Sequence, residues 1–315
     1  VSDRTRARRH AQHHSGKETA MSDLNEHTIT DAVLARLAHT PDPRMRTVVE
    51  SLVRHLHGFI RDIEPTFAEW QTAIDFLTRT GQMCDDKRQE FILLSDTLGA
   101  SMLVDAINHR MPAGATETTV LGPFFVEERP ELPNGADLSP GRDGERLFVR
   151  GTVSSAGGGR IAGAQIDLWH SDSDGYYDVQ RHDLDAPSGR GRIRSDEEGR
   201  FWFWTTQPTP YPVPHDGPVG ELLRATQRHP YRPAHLHFMI AAPGHETLVT
   251  HLFVEGDAYL DSDAVFGVKD SLVVPFKYEH PGTAPDGTPM PARWRSLTYD
   301  FGLKPLAGTA PEHRA

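Results

Sequence analysis

Apolar residues recur at every third or fourth position from about residue 28 to residue 111, which predicts a helical N-terminal segment. One amphipathic stripe follows Pro43 and comprises Val48, Val49, Leu52, Val53, Leu56 and Ile60. A second stripe begins after Thr66, ends at Gly81 and comprises Phe67, Trp70, Ile74 and Leu77. Thr66 and Glu69 have the spacing of a capping box, which marks the start of a helix. A third helix is predicted from Asp86 to Ile107.

From about residue 146 the apolar period changes to two, which is typical of β-strands with one buried face. The predicted strands are separated by turn residues and comprise Leu147 to Val153, Ala164 to Leu168, Phe201 to Phe203, Phe238 to Ala241, Leu248 to Val254 and Leu272 to Phe276. A short helix is predicted from Gly220 to Thr226. We therefore expect an α+β fold, mainly β, in which a helical segment is followed by an antiparallel β-sandwich.

These patterns also predict the domain boundaries. Residues 28–111 form the helical domain, 112–142 a Gly- and Pro-rich linker, and 143–306 the β-sandwich. Residues 1–27 and 307–315 are expected to be tails. The first 20 residues are rich in Arg, His, Ser and Lys without a hydrophobic run, so we expect disorder there, and Met21 offers a second possible start.

Composition narrows the function. The formal net charge is -11 and the predicted domains carry no cluster of Lys and Arg, which argues against a nucleic-acid partner. No continuous apolar run reaches membrane-spanning length, so membrane insertion is not expected. The single cysteine, Cys84, cannot form an internal disulfide, which favours a reducing cytoplasm.

The candidate chemistry begins with a His-x-His pair. His235 and His237 lie in a predicted strand, so both side chains point to the same face, while Leu236 and Phe238 point to the apolar one. Two imidazoles on one rigid face can bind a single metal ion. Such pairs also occur as ordinary surface or hydrogen-bonded residues of strands, so the pair needs further ligands before it indicates a metal site.

Two tyrosines are the candidate additional ligands. Tyr177 lies where a predicted strand breaks into a Gly- and Asp-rich loop, and Tyr211 lies in a loop stiffened by Pro210 and Pro212. Either ring can instead be an aromatic plug on the sandwich. A zinc hydrolase and a non-catalytic β-sandwich binding module remain alternatives, although the chain has no His-Glu-x-x-His motif to support the hydrolase.

Several motifs together resemble the intradiol ring-cleaving dioxygenases. In chain order they are Glu69-Trp70 to Ile107, Thr119-Val120-Leu121-Gly122-Pro123-Phe124, the turn from Trp169 to Tyr177, Gly189-Arg190-Gly191-Arg192, Pro210-Tyr211-Pro212, and Arg228 to His237. The resemblance covers all but about the first 27 residues. It implies a β-sandwich catalytic domain and a homodimer joined through the N-terminal helices, whose groove can hold a phospholipid tail.

The resemblance also implies the site. One ferric ion per subunit would be held by Tyr177, Tyr211, His235 and His237. Arg232 matches the active-site arginine of the family, and Tyr211 would act as a proton acceptor when a diol binds. The substrates implied are an aromatic ortho-diphenol and dioxygen.

The runs from Asp172 to Gln180 and from Asp261 to Lys269 look like the hydroxyquinol-cleaving subgroup. Asp96 interrupts an apolar helix and would face the third hydroxyl of such a substrate. His251 stands where catechol enzymes more often carry glutamine. We therefore expect cleavage of hydroxyquinol to 3-hydroxy-cis,cis-muconate, with catechol or chlorocatechol cleavage as the alternative. The expected substrate wall comprises Leu93, Asp96, Val120, Leu121, Gly122, Pro123, Phe124, Val213, Pro214, His251 and Val265.

Overall fold

The structure is a computed structural model that describes residues 24–85 and 88–306. The predicted C-terminal tail and the predicted helix start at Asp86 lie outside these residues. Most of the predicted N-terminal tail, residues 1–23, also lies outside them. The chain divides into two compact units, and the division falls between Asp75 and Phe76. The boundaries predicted from the sequence remain a prediction.

The described helices occupy the N-terminal part and one later segment. They are α1 (Ile29–Arg36), α2 (Pro43–Ile63), α3 (Phe67–Gln82), α4 (Glu90–Thr97), α5 (Ala100–Asn108) and α6 (Pro218–Ala225). The Asp42 side chain caps α2 by accepting from the backbone N–H groups of Arg44 and Met45. The predicted capping box of α3 is confirmed, since Thr66 N–H donates to the Glu69 carboxylate and Glu69 N–H donates to Thr66 Oγ1.

The prediction of one helix from Asp86 to Ile107 is wrong. Two helices, α4 and α5, replace it, and they are separated at Leu98 and Gly99. Gly99 has φ +74°, a left-handed conformation that glycine adopts without steric cost and that ends the first helix. The break turns the chain at the C-terminal end of α4, two residues after Asp96.

The strands build two five-stranded sheets and two short ribbons. They are β1 (Arg146–Ser155), β2 (Gln165–His170), β3 (Arg190–Arg194), β4 (Arg200–Thr206), β5 (Tyr211–Pro212), β6 (Tyr231–Arg232), β7 (His235–Ala241), β8 (Leu248–Val254), β9 (Val273–Val274), β10 (Lys277–Glu279), β11 (Gly282–Thr283), β12 (Pro289–Met290), β13 (Trp294–Thr298) and β14 (Phe301–Leu303). One sheet has the order β3-β2-β7-β8-β9, and the other has the order β10-β13-β1-β14 with β4 also paired to β1.

Apolar side chains from both sheets meet in one core that includes Val149, Phe203, Leu236, Phe238 and Phe301. The predicted fold class, helices followed by a β-sandwich, is confirmed. The pairing is mixed in detail, because β1 is parallel to both β13 and β14, and β8 is parallel to β9. Hydrophobic periodicity identifies the buried face of a strand but does not identify its neighbours.

A row of side chains crosses the first sheet and positions the candidate site. Arg190 on β3 is opposite Trp169 on β2, Trp169 is opposite His237 on β7, and His237 is opposite His251 on β8. Directly paired residues point to the same face of a sheet, so these four side chains lie side by side.

Among the described helices, none combines the length and apolar content needed to cross a membrane.

Candidate metal centre

Four side chains that could donate to a metal converge on the face of the sheet opposite the core. Tyr177 and His237 are close, with Tyr177 Oη 2.9 Å from His237 Nε2. The Nε2 atoms of His235 and His237 are 3.0 Å apart. The ring of Tyr211 lies 5.1 Å from the ring of Tyr177 and 5.6 Å from that of His235. All four residues are buried.

Local structure brings the two tyrosines together. The ladder of β5 and β6 pairs Tyr211 with Arg232, so the loop that carries Tyr211 is fixed beside the start of β7. Gly175 has φ +85°, and a Cβ there would lie 3.4 Å from Tyr211 Cβ and 3.2 Å from the Pro210 carbonyl oxygen. Only glycine combines this conformation with so close an approach, which explains the Gly-Tyr-Tyr sequence of the turn.

The two histidines are oriented in different ways. His235 Nδ1 donates to the Pro233 carbonyl oxygen at 2.6 Å, which leaves the Nε2 lone pair free to bind a metal. His237 Nδ1 has no hydrogen-bond partner among the described residues. Its ring instead stacks on Trp169, with the ring centroids 4.6 Å apart and an angle of 18° between the planes. Gly122 borders the same imidazole, since a Cβ there would lie 3.0 Å from His237 Cε1.

Burial controls the charge of these donors. Burial and the nearby Arg232 cation lower the pKa of His235 to about 3, and burial with the neighbouring His251 lowers the pKa of His237 well below its ordinary value. Burial and the adjacent Tyr211 raise the pKa of Tyr177 well above its ordinary value. Neutral imidazoles are ready ligands, whereas the buried phenol becomes a phenolate only beside a strong positive charge. The donor set therefore fits a hard, highly charged cation such as ferric iron.

Arg232 lies buried beside this centre. Its Nη1 is 3.4 Å from His235 Nε2, and its Nη2 is 3.5 Å from His251 Nδ1. Burial alone would lower the pKa of Arg232, but the Asp263 carboxylate together with Tyr211 and Tyr177 raises it, so the guanidinium is a permanent cation. It can stabilise a negative charge on an aromatic ring bound at the four donors.

The predicted substrate wall is brought together in part. Leu93, Val120, Val213 and Val265 form one apolar cluster with Leu223 and Ala264. Phe124 stacks on Tyr177 with the ring centroids 4.3 Å apart, and His251 is packed against His235 and His237. Leu121 and Pro123 are exposed, and neither they nor Pro214 is part of the described apolar clusters. A cleft of about 480 Å³, lined by His229, Ser262, Asp263 and Phe266 among others, contains none of the predicted substrate residues.

Asp96 is buried near the end of α4, only 8% exposed. Burial raises its pKa, while a hydrogen bond with Ser101 and the charge of Arg232 act in the opposite direction. Asp96 is therefore not a residue of a solvated helix face. A carboxylate in this position can accept a hydrogen bond from a polar group on a ligand.

Two residues beside the centre were missing from the sequence-based set. Trp169 stacks on His237, and its position opposite His237 on the neighbouring strand depends on a pairing register that the sequence does not contain. Asp263 forms a buried ion pair with Arg232. Asp263 lies in the segment from Asp261 to Lys269, which resembles the hydroxyquinol-cleaving subgroup. The sequence feature that could have identified it is a carboxylate within that segment.

Two family models match the chain. A model described as "Catechol dioxygenase N terminus" matches residues 42–116, and a model described as "Dioxygenase" matches residues 120–305. Together the two matched ranges include Asp96 on α4 and all four candidate donors.

Curated proteins and solved structures are similar over most of their length. The chain is 54% identical over 285 residues to 6-chlorohydroxyquinol 1,2-dioxygenase of Cupriavidus pinatubonensis, covering 90% of this chain and 99% of that protein. It is 48% identical to hydroxyquinol 1,2-dioxygenase of Nocardioides simplex, covering 91% and 98%. The crystal structure of hydroxyquinol 1,2-dioxygenase from Pseudomonas putida DLL-E4 matches with TM-score 0.85 and 49% identity, covering 89% of this chain and 99% of that one.

Proposed function

This chain belongs to the intradiol ring-cleaving dioxygenases, and from that premise we propose that its substrate is hydroxyquinol, benzene-1,2,4-triol. The ring would be cleaved with dioxygen between the two vicinal hydroxylated carbons to 3-hydroxy-cis,cis-muconate, the enol form of maleylacetate. Such a reaction belongs to the breakdown of aromatic compounds. Family membership favours this enzyme over the zinc hydrolase and over a non-catalytic binding module.

The observation that carries the substrate proposal is the buried carboxylate of Asp96. It lies on α4 three residues from Leu93, which packs in the apolar cluster with Val213 and Val265. Burial of a carboxylate is costly, Ser101 supplies one polar partner, and a ligand hydroxyl would supply a second and offset more of that cost. Catechol lacks the third hydroxyl and would not supply this second partner. The printed names of the relatives at 48% and 54% identity support the same choice.

We propose one ferric ion per subunit as the cofactor, held by Tyr177, Tyr211, His235 and His237. When bound, it supplies a Lewis acid and an oxidising centre to which the diol can bind as an anion. The buried, neutral imidazoles would bind it through Nε2, and the phenols would lose their protons to bind it through Oη.

Tyr211 and the residues around the four donors would bind and orient the diol. The Tyr211 phenolate would accept a proton at Oη from one diol hydroxyl. Arg232 would hold the resulting anionic ring by charge, since its guanidinium stays protonated. His251 would line the pocket between Arg232 and the backbone of Val120. The apolar cluster of Leu93, Val120, Val213 and Val265 would exclude water from the ring.

Steady-state rates on hydroxyquinol, catechol and 4-chlorocatechol test the substrate. We expect the highest kcat/KM for hydroxyquinol, and a higher value for catechol would refute the proposal. Asp96→Ala should reduce kcat/KM for hydroxyquinol by about 10- to 100-fold and change the value for catechol much less. Equal losses would assign Asp96 a structural role only. Leu223→Ala provides a matched control, because Leu223 packs in the same apolar cluster but has no polar group.

A visible spectrum tests the cofactor independently of turnover. Tyrosinate bound to ferric iron absorbs visible light, so the iron-loaded protein should be coloured and the band should shift on anaerobic addition of hydroxyquinol. A colourless preparation that stays inactive after iron addition would refute both the proposed cofactor and the proposed activity.

We also propose a homodimer formed through the N-terminal helices, with phospholipid bound between its apolar faces. Along α2, Met45, Val48, Leu52, Leu56 and Phe59 are spaced along one side of the helix, and each is 45% exposed or more. An exposed apolar row of this length supports a covering partner. Light scattering with lipid extraction tests this proposal. We propose a cytoplasmic location as well, which the lone cysteine, Cys84, supports.

A further inference from the structure

The carboxylate of Asp263 is surrounded by N–H donors. Arg232 donates from Nε to Oδ1 at 3.1 Å and from Nη2 to Oδ2 at 3.2 Å. The backbone N–H groups of Val265 and Gly267 donate to the same two oxygens at 3.3 and 2.9 Å. Both partners of the ion pair are only 2% exposed in their side chains. A side-on, two-bond contact of this kind fixes the plane of a guanidinium as well as its distance.

The loop that follows Asp263 is shaped around this ion pair. A Cβ on Gly267 would lie 2.8 Å from Arg232 Nη2 and 3.1 Å from Asp263 Oδ2, so no larger residue fits without moving the pair. Phe266 has φ +58°, a conformation that is strained for an aromatic residue. Strain of this kind persists only where surrounding contacts impose it. The same loop places Ala264 and Val265 in the apolar cluster of the substrate wall.

The contact with Asp263 determines which nitrogen of Arg232 faces the metal centre. Asp263 occupies Nε and one side of Nη2, and the remaining Nη1 lies 3.4 Å from His235 Nε2. Because the guanidinium is planar and rigid, rotating it out of the Asp263 contact would carry Nη1 away from the donors. The position of the cation therefore depends on a residue that does not itself reach His235 within hydrogen-bond distance in the described contacts.

We infer that Asp263 is a positioning residue that holds Arg232 so that Nη1 points at the ring of the bound diol. Asp263 also connects that cation to the apolar cluster that contains Val265. This inference rests on the proposed function. It adds that the active-site cation and the apolar wall are set by one loop, so that a change in the loop alters charge and shape together.

A purely structural ion pair is the competing explanation, and the chain offers a matched control. Asp167 is also fully buried and also accepts two bonds from one arginine, from Arg192 Nε at 2.6 Å and from Arg192 Nη2 at 3.1 Å. Arg129 contacts the same carboxylate. None of the described hydrogen bonds or ion pairs of Asp167 involves Arg232 or the four candidate donors. Asp167→Asn therefore removes a buried, arginine-paired carboxylate on β2, away from the loop that carries Asp263.

The experiment compares Asp263→Asn, Asp167→Asn, Arg232→Lys and the double variant Asp263→Asn with Arg232→Lys, all loaded with iron. The measurements are the iron content per chain, the Kd for hydroxyquinol from the anaerobic spectral shift, and the separate values of kcat and KM. We expect Asp263→Asn to retain iron and to lose about 10- to 100-fold in kcat/KM, the range found when a supporting residue of a metal site is removed. Asp167→Asn should lower the melting temperature and leave the Kd unchanged.

The double variant separates the two explanations. If Asp263 acts through Arg232, Asp263→Asn should have little further effect once Arg232 is lysine. Fully additive losses, or an equal rise in Kd in Asp167→Asn, would overturn the inference. If Asp263→Asn does not fold, Gly267→Ala decides, because its Cβ would displace Arg232 Nη2 while keeping both charges. Wild-type kcat/KM in Gly267→Ala would refute the positioning role. If the unmodified, iron-loaded protein does not turn over hydroxyquinol, the proposed function itself is refuted.

Discussion

Replacing Gly122 by alanine tests how the packing around His237 controls the metal centre. Gly122 has φ +78°, and an added Cβ would lie 3.0 Å from His237 Cε1 and 3.8 Å from His237 Nδ1. The first distance is a few tenths of an ångström shorter than ordinary van der Waals contact, so either the imidazole or the loop must move. Trp169 stacks on one face of the imidazole and restricts its response.

Two costs can be separated. An L-residue in a left-handed conformation costs about 1–2 kcal/mol, which corresponds to a fall of about 2–8 °C in melting temperature for a unit of this size. Displacement of a metal-binding imidazole should weaken iron binding by about tenfold, or about 1.4 kcal/mol. Only the second cost depends on the contact with His237.

Gly256→Ala is the matched control, because Gly256 has φ +80° and nothing lies within 4 Å of its Cβ position. Both variants should lose melting temperature in the iron-free state, and Gly122→Ala should lose at least as much as Gly256→Ala because of its contact with His237. Only Gly122→Ala should also lose iron to a competing chelator at lower chelator concentration and show a shifted visible band. Equal iron retention in the two variants would refute the argument that Gly122 is required by its contact with His237.

Three further outcomes are expected. Burial raises the pKa of Asp96, so stability from the protonated carboxyl is present below about pH 3.8 and is lost as pH rises through the higher pKa of the folded state. Asp96→Asn should therefore raise the melting temperature at pH 7 but not in strong acid, and a constant difference in thermal scans across pH would contradict this. Burial lowers the pKa of His235 to about 3 and also depresses that of His237. The urea midpoint of the iron-free protein should thus fall as pH drops below about 6.5, whereas a flat profile would refute neutral burial. Trp169→Leu should release iron faster to a chelator than Trp169→Phe, which keeps an aromatic face against His237, and equal rates would exclude orientation by stacking.

Each of the four candidate donors has a local signal in the sequence, but their convergence was expected only from the family resemblance. His235 and His237 share a face through strand periodicity, and Tyr177 and Tyr211 lie in turns with glycine or proline beside them. Their roles as ligands came from the family resemblance, since phenols in turns are also ordinary packing residues. The site assignment itself remains a proposal.

Other features depend on contacts that are distant in sequence. Asp263 pairs with Arg232, 31 residues away, through a loop whose path no periodicity describes. Trp169 reaches His237 only through the register of β2 and β7. Gly99 divides α4 from α5, and a single glycine inside a strongly apolar helical pattern has too small a local effect to predict a break reliably.

The parallel pairing of β1 with β13 and β14 has a consequence for synthesis of the protein. Leu147 pairs with Arg295, so 148 residues must be made after Leu147 before its partner exists. At about 5–20 residues per second this takes roughly 7–30 s. During that interval β1 can form its ladder with β4, while its opposite edge offers unpaired backbone groups to any other chain. Nascent chains that stall before Trp294 should therefore be prone to aggregate and dependent on chaperones.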